Sequence, residues 1–189
     1  MARKYELKRR AEQQAETRRR IVEAAVELHR TRGPARTSLS DVARLAGVQR
    51  HTLYRHFPNE RALFLACSGR FAELNPQPDP EAWQDVADPE QRLRVGLTQL
   101  YEYYERTADM LASVLRDAGV HAPTREIVEL RHGGTVRRTR TVLGDGIVGR
   151  RRLALLDLAL EFHTWQRLAT SGLSREEAVE AMVGAVTGR

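Results

Sequence analysis

The sequence has little cysteine, few aromatic residues and no long apolar run. A single cysteine, Cys67, cannot form a disulfide within the 189-residue chain, which is typical of proteins kept in a reducing compartment. The most apolar stretch, residues 153–160, is interrupted by Asp157 and is far too short to span a bilayer. Residues 1–20 are almost wholly polar and lack the apolar segment of an export signal. These absences predict a soluble, cytoplasmic protein without a membrane segment.

Lysine is also scarce, and the distribution of charge is more informative than its total. Lys4 and Lys8 are the only lysines among 31 basic residues, so the net charge of +6 partly reflects an arginine-rich composition. Residues 1–70 carry a balance of +9, whereas residues 71–189 carry −3. A basic first third beside a mildly acidic remainder indicates a surface for a polyanion, with a solvated basic tail as the alternative.

Helical periodicity runs through most of the chain, and no alternating segment is long enough for a strand. Ile21, Ala25 and Leu28 recur at helical spacing. Polar residues suited to helix N-caps stand at Ser38 and Asn59, each at the start of a further apolar-periodic segment. With 41% hydrophobic residues the chain can build a core. The sequence therefore predicts an all-α fold.

A proline-rich segment, NPQPDP at residues 75–80, divides the chain, because alternating prolines fit neither a helix nor a central strand. We therefore predict domains at residues 1–74 and 75–189. In the second domain, Asp88-Pro89 has the pattern of a helix start, and Ser174 to Glu177 forms a capping box before the last helix. One long helix is expected from about Ile147 to Ala169.

Residues 38–57 have the pattern of two short helices joined by a tight turn at Gly47. Val42, Ala43 and Val48 are spaced to pack the two helices together. Leu53 and Phe57 are spaced to hold the second helix against the first helix of the chain. The opposite face of that second helix is then exposed and fits the DNA major groove. The residues expected on this face are Gln49, Arg50, His51, Thr52, Tyr54, Arg55 and His56.

The segments DVARLAGV, TLYRHF and PNERAL, with Ile21 to Leu28 before them, closely resemble the tetracycline-repressor (TetR) family. The resemblance implies an N-terminal three-helix helix-turn-helix domain and a larger helical domain that dimerises and binds a small effector. It implies a homodimeric regulator of transcription, most often a repressor released from double-stranded operator DNA by that effector. By position, Arg50 and His51 resemble base readers. Phosphate or groove contacts are implied at Ser38, Ser40, Thr52, Tyr54, Arg55 and His56.

Three positions depart from the family pattern. Gln49 stands where serine is frequent, and His51 stands where a small residue is frequent. Glu60 replaces a frequent lysine at the start of the fourth helix, and a glutamate there repels phosphate. We therefore expect Arg61 to supply the cationic contact and the preferred DNA sequence to differ from that of relatives.

The resemblance also implies sites in the second domain. Candidate effector-pocket residues are Tyr101, Tyr104, His132, His163 and Trp165. Candidate dimer-interface residues are Phe162, Val179, Met182, Val183 and Val186. The alternative for every one of them is an ordinary place in the core or on the surface.

The sequence also bears on whether the chain is an enzyme. The six histidines show no metal-binding spacing, and no nucleophile or nucleotide motif is present, so neither an enzyme nor a metal or cofactor is expected. An architectural protein that binds DNA without sequence preference, or an activator, is the alternative function.

The arm that carries Arg3, Lys4, Lys8, Arg9 and Arg10 is expected either to contact DNA or to be disordered.

Overall fold

The computed structural model describes the backbone of residues 2–188 and the side chains of residues 5–188. Within that range every regular element is helical, which confirms the all-α prediction. The α-helices are α1 (Ala2–Thr31), α2 (Leu39–Leu45), α3 (Arg50–His56), α4 (Glu60–Leu74), α5 (Pro89–Ala118), α6 (Ala122–Val128), α7 (Gly134–Gly144), α8 (Arg150–Leu160), α9 (Phe162–Thr170) and α10 (Arg175–Thr187). A π-helical turn at Glu129–Gly133 joins α6 to α7. None of the described helices is long and apolar enough to cross a membrane.

The helix starts predicted from capping residues are confirmed. The Asn59 side chain accepts a hydrogen bond from the Ala62 amide at 2.9 Å, and Asp88 accepts one from Gln91 at 2.8 Å. Ser174 and Glu177 form a reciprocal capping box at the start of α10. These side chains satisfy backbone N–H groups that have no partner within their own helix.

The single helix expected from about Ile147 to Ala169 is wrong, because the backbone breaks at Glu161. Glu161 is extended, with φ −78° and ψ 135°, and it separates α8 from α9. The break frees two carbonyl groups at the end of α8. The Tyr101 hydroxyl donates to the Ala159 carbonyl at 2.9 Å, and the Tyr104 hydroxyl donates to the Leu160 carbonyl at 2.6 Å. Apolar periodicity does not reveal this break, because the compensating donors lie on α5.

The described chain divides into two compact units. The first unit holds the residues up to Leu74 together with Ala112–Val128, and the second holds Asn75–Leu111 together with the residues from Glu129 onward. In the first unit α1, α2, α3 and α4 enclose a core in which Ile21, Ala25, Leu53 and Leu63 are at most 1% exposed and Cys67 is also buried.

The core of the second unit forms around α5. Leu93, Leu97 and Tyr101 on that helix are fully buried, as are Leu143 on α7 and Leu156 on α8. Both tryptophans of the chain belong to this unit. Trp83 donates from Nε1 to the Gln99 side chain at 2.9 Å, and Trp165 packs against Phe162 with ring centroids 5.4 Å apart.

Gly33, which follows α1, has a conformation that side-chain-bearing residues avoid, and we predict a substantial cost for Gly33→Ala. Its φ of 93° and ψ of 153° are almost restricted to glycine. A Cβ there would also collide with the buried Asp117 carboxylate, which accepts a hydrogen bond from the Ala35 amide at 2.9 Å. We expect the free energy of unfolding to fall by about 2 kcal/mol, measured by urea denaturation.

Gly172→Ala is the control for that measurement. Gly172 has a similar φ of 89°, but no atom of the described residues lies within 4 Å of the position its Cβ would take. Gly172→Ala should therefore lose only the free energy that comes from forcing alanine into this backbone conformation. Equal losses in the two variants would show that the Asp117 contact contributes nothing.

Candidate nucleic-acid interface

The helix-turn-helix begins at Ser38, which caps α2. The Ser38 hydroxyl oxygen accepts from the Asp41 amide at 3.1 Å, and the Asp41 carboxylate in turn accepts from the Ser38 amide at 3.3 Å. The Asp41 carboxylate also accepts from the Ser38 hydroxyl and from Arg44. The hydrogen bond from the Ser38 hydroxyl, followed by that from Arg44, lowers the pKa of Asp41 to about 2. The start of α2 is thus held by side chains that are themselves near the surface.

The turn between α2 and α3 depends on Gly47, whose φ is 64°. This left-handed conformation is easily adopted by glycine and lets the chain reverse at once. After the turn, the Val48 amide donates to the Ala43 carbonyl at 3.0 Å. Val42 and Ala43 are buried beneath the turn. The predicted packing of the two helices is therefore present.

The helix α3 is anchored by its inward face. Leu53 is fully buried and Phe57, just after the helix, is 1% exposed. Arg18 on α1 lies over the Phe57 ring at 4.2 Å from its centroid and donates to the His56 carbonyl at 3.2 Å. Sequence reasoning missed Arg18, although its position one turn before Ile21 places it on the same side of α1.

The outward face of α3 presents the residues predicted to contact DNA. Gln49, Arg50, His51, Tyr54 and Arg55 are exposed, while Thr52 and His56 are half-buried. Ser38 and Ser40, at the start of α2, are also exposed. The structure thus brings all nine residues to the helix-turn-helix of the first unit.

Arg50 and Tyr54 form a pair one helical turn apart on that face. Arg50 Nη2 lies 3.2 Å from the Tyr54 hydroxyl, and the Arg50 guanidinium carbon lies 5.6 Å from the centroid of the Tyr54 ring. The two contacts restrict the arginine without burying it. A guanidinium oriented in this way can bind guanine with two hydrogen bonds.

His56 is placed where a positive charge is unfavourable. Burial, and then the nearby charges of Arg55 and Arg18, lower its pKa below the ordinary value. Its Nε2 atom is buried and makes no hydrogen bond to the described residues. We therefore expect a neutral imidazole, so a DNA contact from His56 would be a hydrogen bond rather than an ion pair.

Arg61 is exposed at the start of α4, but its charge is already compensated. Its guanidinium Nη2 lies 2.7 Å from a carboxylate oxygen of Glu126 on α6. A phosphate would have to compete with this carboxylate. The phosphate contact expected at Arg61 therefore stays a prediction.

Ser38→Ala tests the capping box. Loss of the cap should lower the free energy of unfolding by about 1 kcal/mol at neutral pH, and the pKa of Asp41 should rise toward its ordinary range. Because the folded-state pKa of Asp41 is below the unfolded value, the part of the stabilisation that its carboxylate contributes is present above about pH 4 and is lost as the pH falls toward 2. Carboxylate titration by NMR measures the pKa, and denaturation at several pH values measures the stability.

Ser40→Ala is the matched control, because Ser40 is an exposed serine of the same helix and no cap. It should change neither quantity. If the pKa of Asp41 stays near 2 in Ser38→Ala, Arg44 rather than Ser38 controls this carboxylate.

Two of the five candidate pocket residues line a small cavity in the second unit. The cavity has a volume of about 50 Å³, and Tyr104 and His132 are among the residues around it. Tyr101 is fully buried, and Trp165 packs against Tyr104 with centroids 5.8 Å apart, but neither lines the cavity. His163 is exposed on α9.

Four of the five candidate interface residues lie inside the protomer. Met182 is half-buried, whereas the other four are at most 4% exposed and contribute to the core of the second unit: Phe162, Val179, Val183 and Val186. These four have almost no surface left for a second chain. An interface on the last helices would have to use other faces of them.

Comparison with known proteins identifies the segment that carries this geometry. Residues 21–67, from the buried half of α1 to the middle of α4, match the family described as bacterial regulatory proteins, tetR family. The helix-turn-helix segment of the chain is therefore similar to that of TetR-family regulators. This confirms the resemblance seen in the sequence, and similarity to a family of non-enzymatic regulators agrees with the expectation that the chain is not an enzyme.

Among TetR-type relatives, the regulator TtgR of Pseudomonas putida is 47% identical over 60 residues. That match covers 32% of this chain and 29% of TtgR, so the chain spans less than a third of the length of this relative. The transcriptional repressor NicS of Pseudomonas putida is 28% identical over 141 residues, which cover 72% of this chain and 66% of NicS.

Solved structures of TetR-like proteins share the fold. The hemolysin II transcriptional regulator HlyIIR has a TM-score of 0.68 at 16% identity and covers 93% of this chain and 99% of its own. A TetR-like regulator from Rhodococcus sp. RHA1 has a TM-score of 0.64 at 18% identity, with 90% and 93% covered. At these identities the likeness concerns the fold alone.

Proposed function

We propose that the protein is a sequence-specific DNA-binding regulator of transcription, acting as a homodimeric repressor that a small effector releases from its operator. The observation that carries this proposal is the outward face of α3. That face holds Arg50 paired with Tyr54, while Leu53, Phe57 and Arg18 fix the helix from behind. A rigidly held helix with exposed donors is what major-groove recognition requires. In this proposal residues 1–74 form the DNA-binding domain and residues 75–189 bind the effector and dimerise.

Dimerisation follows from the geometry of such recognition. Two copies of α3 would enter successive major grooves about 34 Å apart on a pseudo-palindromic operator. The second unit offers an exposed apolar strip on α8, where Ala154 and Leu158 are exposed and Leu155 is half-buried. Leu158 alone is 49% exposed. We assign the self-complementary contact to this strip, together with the exposed side of α10 around Met182.

The effector site is assigned to the cavity beside Tyr104 and His132. Its lining contains no carboxylate and no arginine or lysine; the residues are Gln77, Pro78, Leu100, Tyr103, Tyr104, His132, Thr135, Val136, Thr139 and Leu160. Burial, and then the charge of Arg131, lower the pKa of His132, which favours the neutral imidazole. Because neither sign of charge finds a counter-ion here, the effector should be uncharged and largely apolar.

The cavity must also open to admit an effector. About 50 Å³ is well below the several hundred Å³ typical of small-molecule sites. We assign the opening to the π-helical turn that carries His132, because such turns recur at functional sites. An effector that binds the opened form more tightly than the closed form shifts the population between them.

Selection of bound duplexes from a random pool, followed by footprinting of the DNA beside the protein's own gene, tests the proposal. The expected result is a two-fold-symmetric sequence bound at least about 1,000 times more tightly than random DNA at the same salt concentration. Equal affinity for selected and random duplexes would instead support the architectural alternative. Transcription in vitro from the protected promoter distinguishes a repressor, which lowers the transcript level, from an activator.

A further inference from the structure

The first half of α1 extends beyond the core as a helix with no buried face. Every side chain from residue 5 to residue 16 is exposed, and the first fully buried residue is Ile21. These twelve residues correspond to about 18 Å of helix. The disordered arm considered from the sequence is therefore not what residues 5–16 adopt. The side chains of Arg3 and Lys4 lie outside the described residues.

Packing does not explain why this arm is helical. A helix that is polar on all sides is stabilised only weakly, by contacts between neighbouring turns. The arm has few of these: Lys8 lies 3.9 Å from Glu12, and Arg19 lies 2.7 Å from Glu16. Each such pair contributes a few tenths of a kcal/mol. The charged residues of this exposed helix, Lys8, Arg9 and Arg10 among them, are therefore available for a role outside the core.

The arm and the recognition helix share one open groove. Three arginines of α1, namely Arg9, Arg10 and Arg20, line it together with Arg55 near the end of α3. Arg20 also approaches the turn of the helix-turn-helix, since its Nη1 atom lies 4.0 Å from the place a Cβ would take at Gly47. The groove therefore begins beside the proposed major-groove reader and continues along α1.

The groove carries a net positive charge, because four arginines line it with only two glutamates. Its two acidic residues, Glu12 and Glu16, each already have a basic neighbour, Lys8 and Arg19. None of the four lining arginines forms an ion pair with a described carboxylate. Between residues 5 and 20 the apolar side chains are Tyr5, Leu7, Ala11 and Ala15, and none of these four lines the groove. A groove without apolar side chains is poorly suited to a lipid surface, whereas a row of free guanidinium groups suits phosphodiesters.

We propose that residues 5–20 of α1, together with Arg55, form a second DNA-binding surface for the phosphate backbone that flanks the segment read by α3. This inference rests on the proposed function, because the flanking DNA is defined by its position beside the sequence that α3 recognises. The arm would increase affinity and footprint length without changing which sequence is preferred.

The test measures the salt dependence of binding by the full-length chain. A selected operator duplex with long flanks is titrated by fluorescence anisotropy against wild type and against Arg9→Gln combined with Arg10→Gln. The logarithm of the binding constant falls as the logarithm of the salt concentration rises, and each lost phosphate contact makes this fall less steep by about 0.9. The double variant should therefore show a slope smaller in magnitude by about 2 per bound protomer. The ratio of operator to random affinity should stay within about two-fold of wild type, because only backbone contacts are lost.

Arg137→Gln combined with Arg140→Gln removes the same charge from exposed positions of the second unit and should leave the slope unchanged. Glu12→Gln, which releases Lys8 from its ion pair, should raise the slope by about 1 per protomer. On a duplex trimmed to the recognised half-sites, wild type and the double variant should bind alike.

The outcomes separate the two proposals. If wild type selects no sequence, the proposed function fails, whatever the arm does. If wild type is selective and the Arg9/Arg10 variant keeps the full slope, the arm does not bind DNA and the inference is overturned. An equal loss of slope on trimmed and long duplexes would also overturn it, as would binding of the arm to phosphatidylserine vesicles without any change in the DNA slope.

Discussion

Replacing Phe57 by alanine should lower the free energy of unfolding of the first unit by about 3–5 kcal/mol, the largest effect that we expect. Phe57 is 1% exposed and lies where α3 ends, so its removal leaves a cavity beneath the recognition helix. The guanidinium of Arg18, which lies 4.2 Å from the centroid of the ring, also loses its partner. A loss of this size is comparable to the total stability of many domains, so operator binding should disappear with the fold.

Urea denaturation followed by circular dichroism measures this loss. Leu45→Ala is the matched control, because Leu45 on α2 is 52% exposed and its truncation should change stability by less than about 0.5 kcal/mol. Phe57→Leu should fall between the two. A Phe57→Ala protein as stable as Leu45→Ala would mean that α3 is not held from behind by this ring.

Arg50→Ala should weaken operator binding by about 1–3 kcal/mol, a loss of about five-fold to about 160-fold, with the fold intact. Arg50 is exposed, and its contacts with Tyr54 lie on the outward face of α3. If it binds guanine, the loss should be confined to one base position of each half-site. Affinity for a set of single-base operator variants measures this, and unchanged unfolding confirms that stability is unaffected.

Arg50→Lys distinguishes recognition of a base by the planar guanidinium from general attraction of DNA by a positive charge. Lysine keeps the positive charge but not the planar pair of donors, so it should retain general affinity and lose the preference at that one base. Equal loss on all sequences in Arg50→Ala, with full recovery in Arg50→Lys, would show that Arg50 contacts phosphate and that another residue reads the base.

The features predicted correctly from the sequence are those determined by residues close together in the chain. The caps at Ser38, Asn59 and Ser174 are three-residue signals, and the Gly47 turn is likewise local. The helix-turn-helix could be recognised because its packing and its turn lie within about twenty residues. The face that it exposes follows from the same periodicity.

The features that were missed depend on distant partners. The break at Glu161 is compensated by hydroxyl groups of α5, more than fifty residues away in the chain. The ion pair of Arg61 with Glu126 joins residues 65 positions apart. On α10, periodicity correctly identified valines that are buried, as Val183 is. It did not show that the same protomer, rather than a second chain, buries them. Spacing along a chain indicates which face of a helix is buried but not which element packs against that face.

The placement of three side chains makes the two units separately observable in one sample. Cys67, the only thiol, is 4% exposed in the core of the first unit, while Trp83 and Trp165 are buried in the second. A thiol reagent therefore reacts only when the first unit opens, and intrinsic fluorescence follows the second. Recorded together in urea without any added label, the two signals report whether the DNA-reading half of the molecule unfolds with the rest or before it.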